Sequence, residues 1–110
     1  MTTDTPLACN LDALDLAARA RHAEVTARLV AAIQGVDELP DGYILRLPST
    51  DEALMLAAEF IARERRCCPF FEFSLTVGKD AARLSLTGAG GVKQFIEAEI
   101  LSMKGGEPYA

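Results

Sequence analysis

Two adjacent cysteines, Cys67 and Cys68, stand in the run ARERRCCPFFEF, with Arg63, Arg65 and Arg66 before them and Pro69, Phe70 and Phe71 after. Thiolates are soft, strongly nucleophilic ligands, and they suit Zn(II), Cu(I), Hg(II) and As(III) better than carboxylates do. Neighbouring residues on a regular helix diverge, but Pro69 disfavours helical geometry at Cys68 and lets it leave the spiral, so the two sulfurs can converge. Glu64 lies one helical turn before the pair on the same face. There it can add an oxygen ligand, accept a thiol proton or pair with an arginine. Cys9 precedes the first helix and is the candidate third thiolate, an arrangement suited to ions content with three sulfurs, such as As(III) or Hg(II). The expected site is therefore Cys67, Cys68, Glu64 and Cys9, holding a soft metal or metalloid ion as sensor, buffer or carrier, with no catalytic residue. The paired C-x-x-C pattern of structural zinc sites is absent.

Two other readings compete. Cys67 and Cys68 can cycle through a disulfide between neighbours, which makes the protein a thiol redox protein. Alternatively both thiols only fill the core, since cysteine is among the most buried residue types, in a structural or interaction module. Nearby arginines lower a thiol pKa and the negative end of a helix raises it, so the sequence leaves thiol activation open. His22, the single histidine, falls on an apolar helical stripe and reads as a hydrogen-bonded core or boundary residue rather than a ligand. The TGAGG run, Thr87 to Gly91, lacks the lysine and hydroxyl of a phosphate loop and reads as a tight turn.

The elements that must position these residues follow from periodicity. Asn10 caps a long first helix over 11–34, with Leu11, Leu14, Ala18, His22, Val25, Leu29 and Ile33 at helical spacing. Gly35 stops it, DELPDG supplies turn chemistry, and YILRL alternates as a short strand. Ser49 and Glu52 form a capping box for a second helix from about Thr50 to Arg66. Its inward stripe runs Ala53, Leu54, Ala57, Phe60, Ile61, Glu64 and on to the cysteines. FFEFSLTV and ARLSLT, joined by GKDA, read as a hairpin with one wet face. Val92, Phe95, Ile96, Ile100 and Met103 mark a third helix. The order is α+β: a three-stranded antiparallel sheet with three helices packed on one face, a ferredoxin-like half-sandwich (β-α-β-β-α) preceded by a long helix, with the hairpin's second strand central. An open sheet edge makes a homodimer a reasonable expectation.

A chain of 110 residues that is 50% apolar can bury one core, so 1–110 is read as a single domain. Sixteen acidic against eleven basic side chains give a net charge of −5, which repels nucleic acid and anionic membranes. The arginine cluster is too short for a nucleic-acid stripe. Neither a secretory signal nor a membrane span is visible, so a cytoplasmic location is expected. Thiols stay reduced there, and an odd cysteine count argues against a disulfide framework.

The run ERRCCPFFEFSL, followed by LSLTGAGGVKQFI, resembles a family of small bacterial proteins without an assigned activity that carry a Glu-Arg-x-Cys-Cys-Pro-Phe core. Glu64, Arg65, Cys67, Cys68, Pro69 and Phe70 match it, with Gly88 to Phe95 as a looser second block, over roughly the second half of the chain. The resemblance implies an association with heavy-metal resistance and leaves the ion open.

Overall fold

The computed structural model describes residues 10–103. A short 3-10 turn, Leu11–Ala13, leads into helix α1 (Leu16–Ala32), strands β1 (Gly35–Leu39) and β2 (Gly42–Leu47), and helix α2 (Asp51–Cys67). Strands β3 (Glu72–Val77) and β4 (Ala82–Thr87), helix α3 (Val92–Glu99) and a 3-10 turn, Leu101–Met103, complete the order. The fold is α+β, as the periodicity implies. The sheet has four antiparallel strands rather than three, in the order β1-β2-β4-β3. The hairpin's second strand, β4, is indeed flanked by β2 and β3. The ferredoxin-like half-sandwich does not hold as expected, because β1 adds a strand on the free side of β2. Its segment, GVDEL, was expected to be a stop and a turn. Only Pro40 and Asp41 turn the chain, and Leu39 already pairs with Gly42.

The long first helix is also corrected. Asp15 caps α1 by accepting from the Ala18 N–H, so the helix begins at Leu16, whereas Asn10 caps only the preceding 3-10 turn. Thr50, not Ser49, caps α2, accepting from the Ala53 N–H at 3.2 Å. Ser49 instead donates across to the Gly78 carbonyl, and Glu52 pairs with Arg28 of α1.

One sheet face is apolar: Tyr43, Leu45 and Leu47 of β2 and Ala82, Leu84 and Leu86 of β4 are buried. They share one core with Val25 and Leu29 of α1, Leu56, Ala57 and Phe60 of α2 and Val92 and Ile96 of α3. Arg46 and Arg83, on the opposite face, are exposed. Gly42 is required by the β2–β4 approach, since a Cβ there would stand 1.9 Å from the Leu86 carbonyl oxygen. Gly91 caps α3 at φ 96°, in the left-handed region that glycine tolerates. The TGAGG run is thus a strand-to-helix turn.

Helices α1 and α2 run antiparallel, because Arg21 meets Glu59 while Arg28 meets Glu52. That pairing lays the inward stripe of α1 along the inward stripe of α2 and fixes what faces Glu64. No helix among the described residues is long and apolar enough to cross a membrane.

Candidate functional site

Helix α2 ends at Cys67, and Cys68 adopts φ −126° and ψ 70° ahead of Pro69, the departure from the spiral that the proline demands. The Cys68 N–H still reaches the Glu64 carbonyl at 2.7 Å, closing the last turn. The Cys67 carbonyl accepts the Asn10 N–H at 2.6 Å, which docks the chain ahead of α1 on the end of α2. As a result the two sulfurs lie side by side, 3.8 Å apart, with Cys67 1% and Cys68 0% exposed.

Glu64 is buried on the inward face of α2, one turn before the cysteines, with its Oε1 4.0 Å from the Cys67 sulfur. Its partner is not an arginine. Arg63 is taken by Glu59 and Arg66 by the Ala13 carbonyl. Glu64 Oε1 instead lies 2.6 Å from His22 Nε2, and both side chains are buried. The antiparallel packing of α1 on α2 makes this contact across 42 residues of sequence. His22, expected as a core or boundary residue, is a core residue that also belongs to the site. Its ring stacks on Phe60 at 5.5 Å, and its Nδ1 is buried without a hydrogen-bond partner among the described residues. Each of His22, Glu64 and Cys67 offers one ligand atom within 4.8 Å of the others.

The two cysteines are in different states. Cys67 is a free thiol, whereas Cys68 is disulfide-bonded. They are therefore not bonded to each other in this structure. Cys9 lies outside the described residues.

Burial pushes the Cys67 thiol pKa up, the Glu64 carboxylate adds to the rise, and Arg66 opposes it only weakly. In the balance the sequence leaves open, burial and Glu64 outweigh Arg66 at Cys67. The rings of Phe70, Phe71, Phe73 and Phe95 pack edge to face or tilted against one another. A cavity of about 240 Å³, lined by His22, Thr26, Glu64, Phe95, Glu99 and Met103 among others, borders the His22–Glu64 pair.

Comparison with protein-family models, with curated proteins and with solved structures gave no match.

Proposed function

We propose that the protein holds a soft or borderline metal or metalloid ion, with the Cys67 and Cys68 thiolates as its principal ligands and Glu64 and His22 completing the donor set. The observation that carries this reading is the convergence of a buried thiol, carboxylate and imidazole within 4.8 Å, beside a second sulfur 3.8 Å away. Two sulfurs bound to one tetrahedral ion at ~2.3 Å are separated by ~3.8 Å, which is the spacing of this pair, so with Cys68 reduced the two sulfurs are placed to share an ion. Glu64 and His22 must give up their 2.6 Å hydrogen bond and open slightly to reach the same ion. A buried hydrogen-bonded pair with an unpartnered Nδ1 is a poor device for stability alone, and it favours a ligand role. The cavity beside His22 and Glu64 gives an ion an access route.

This reading assigns no catalytic residue. The ion is the partner, drawn from the thiophilic set of Zn(II), Cu(I), Hg(II) and As(III), and a role in heavy-metal resistance is compatible with it. A chain of net charge −5 suits cation capture and not nucleic-acid binding. The setting we envisage is the cytoplasm, where thiols are kept available. An edge-paired homodimer through β1 or β3 remains part of the proposal only as an accessory.

The test is titration of reduced protein with each of the four ions, mapping by mass spectrometry which cysteines are shielded from alkylation. Cys67 and Cys68 should be shielded together at one equivalent. The Cys67→Ser/Cys68→Ser double variant should lose binding while its circular dichroism stays native. Equal affinity in that variant refutes the proposal.

A further inference from the structure

The cavity beside the His22–Glu64 pair grades from surface to core. Ala23, Glu99 and Met103 of its lining are exposed, Thr26 and Phe95 are half-buried, and His22 and Glu64 are buried. Its surface end carries two groups that attract a cation in different ways. Glu99 supplies negative charge, and a field acts on every cation alike. Met103 supplies a thioether, a soft donor that suits Cu(I), whereas Zn(II) draws its ligands from thiolate, imidazole and carboxylate. A thioether also binds without losing a proton, while a thiol must ionise first.

The fold sets Met103 at this position. It closes the 3-10 turn Leu101–Met103, its N–H donates to the Ile100 carbonyl at 3.1 Å, and Ile100 and Leu101 are anchored in the core. Met103 nevertheless remains 45% exposed. The turn packs against α1, the helix that carries His22, so thioether and imidazole line one cavity. With His22 Nε2 taken by Glu64, Nδ1 is the ring nitrogen left for an incoming cation, and it has no hydrogen-bond partner among the described residues. A carboxylate on one ring nitrogen is the usual support for metal ligation at the other.

We propose that this cavity is the port of the ion site and that Met103 makes it selective, capturing a soft monovalent cation of the Cu(I) class at the surface and passing it by way of His22 to the Cys67 sulfur. The inference rests on the ligation reading above and adds the ion class and the route. Thioether, imidazole and thiolate form a series of increasing burial, from exposed Met103 to Cys67 at 1%. An ion that can use every donor moves along the series by exchanging one ligand at a time. The Cys67 thiol releases its proton to solvent as it takes the ion, and no oxidation state changes. Zn(II) enters without the first donor.

The test uses reduced full-length protein under anaerobic conditions, with Cu(I) or Zn(II) delivered from a chromophoric chelator and the transfer rate followed by stopped-flow absorbance. Met103→Leu keeps size and apolarity, and should slow Cu(I) transfer about tenfold while leaving Zn(II) transfer unchanged. Met55→Leu, at an exposed thioether that does not line the cavity, should change neither. Ala23→Phe fills the surface end of the cavity and should slow both ions while circular dichroism stays native. Glu99→Gln should slow both ions alike, and less so at high salt. Unchanged Cu(I) transfer in Met103→Leu, or equal slowing of the two ions, overturns the selectivity. Undiminished transfer in Ala23→Phe overturns the port. Either result leaves the ligation reading standing. A parent protein that takes Zn(II) but not Cu(I) overturns this inference alone, whereas one that takes neither overturns the ligation reading itself.

Discussion

Replacing His22 and Glu64 by apolar residues should cost stability one at a time and restore it together. Each side chain satisfies the other in the core: Nε2 and Oε1 are 2.6 Å apart, with relative exposures of 8% and 6%. Glu64→Leu leaves the imidazole with neither nitrogen hydrogen-bonded, because Nδ1 already lacks a partner. An orphaned buried polar group costs about 1–3 kcal/mol, so this variant should lose roughly 2–3 kcal/mol. His22→Phe keeps a ring against Phe60 but strands a buried carboxylate, a loss of about 3–5 kcal/mol. The double variant removes both polar groups, keeps similar volume, and should lie within about 1 kcal/mol of the parent or above it.

The assay is urea denaturation with chelator present and the oxidation state fixed, which gives the coupling between the two sites directly. The double variant should recover at least about 2 kcal/mol relative to the sum of the singles. It should also bind Zn(II) more weakly than the parent in the reduced state. Additive losses would refute the claim that the pair is a single buried unit. Unchanged Zn(II) affinity in the stable double variant would refute its place in the site.

Glu59 should govern part of the acid limb. Its hydrogen bond to Arg21, joined by one to Arg63, lowers the carboxyl pKa from 4.5 to about 2, so its contribution to stability is complete above pH 4.5 and fades as pH falls toward 2. Thermal unfolding of Glu59→Gln should show a lower melting temperature at neutral pH and a flatter decline across that window, with the two proteins converging below it. Thr50→Ala should cost about 1 kcal/mol by removing the cap of α2, whereas Ser49→Ala should cost less than about 0.5 kcal/mol; the reverse ranking in chemical denaturation would restore Ser49 as the cap. Gly42→Ala should lose about 1–3 kcal/mol or more by forcing β2 from β4, and a neutral result would mean that the strands separate freely there.

The elements nearest the cysteines were the most legible. In α2 the spacing of Ala53, Ala57, Phe60 and Glu64 follows one face, and Pro69 gives a stop that local sterics alone enforce. β1 was not legible, because GVDEL is a short edge segment with two acidic residues beside a turn signal, and its pairing with β2 supplies what its own sequence lacks. The cap of α2 was misplaced by one residue because Ser49 and Thr50 have equivalent chemistry; the choice follows from Ser49's contact with Gly78, which is tertiary. The 11–34 helix breaks at Asp15 for the same class of reason, since a good capping residue inside a helical pattern competes with continuation. In the site, Glu64, Cys67 and Cys68 were visible because they are close in sequence. His22 was visible only as an inward position on α1, and its partner depends on how α1 lies across α2.

The electrostatics of the site explain why an ion-bound state suits it. The C-terminal end of α2 presents negative partial charge, and Glu64 is buried one turn before it. Burial and the Glu64 carboxylate raise the Cys67 thiol pKa, and Arg66 opposes them without reversing the shift, so an ionised Cys67 is disfavoured while no cation is bound. On the proposed reading a bound divalent cation reverses that balance by drawing thiolate and carboxylate to itself. Reduced protein saturated with Zn(II) should therefore be alkylated at Cys67 more slowly than reduced protein held without a cation. Equal rates of alkylation, followed by mass mapping of Cys67, would show that the cation does not draw on that sulfur.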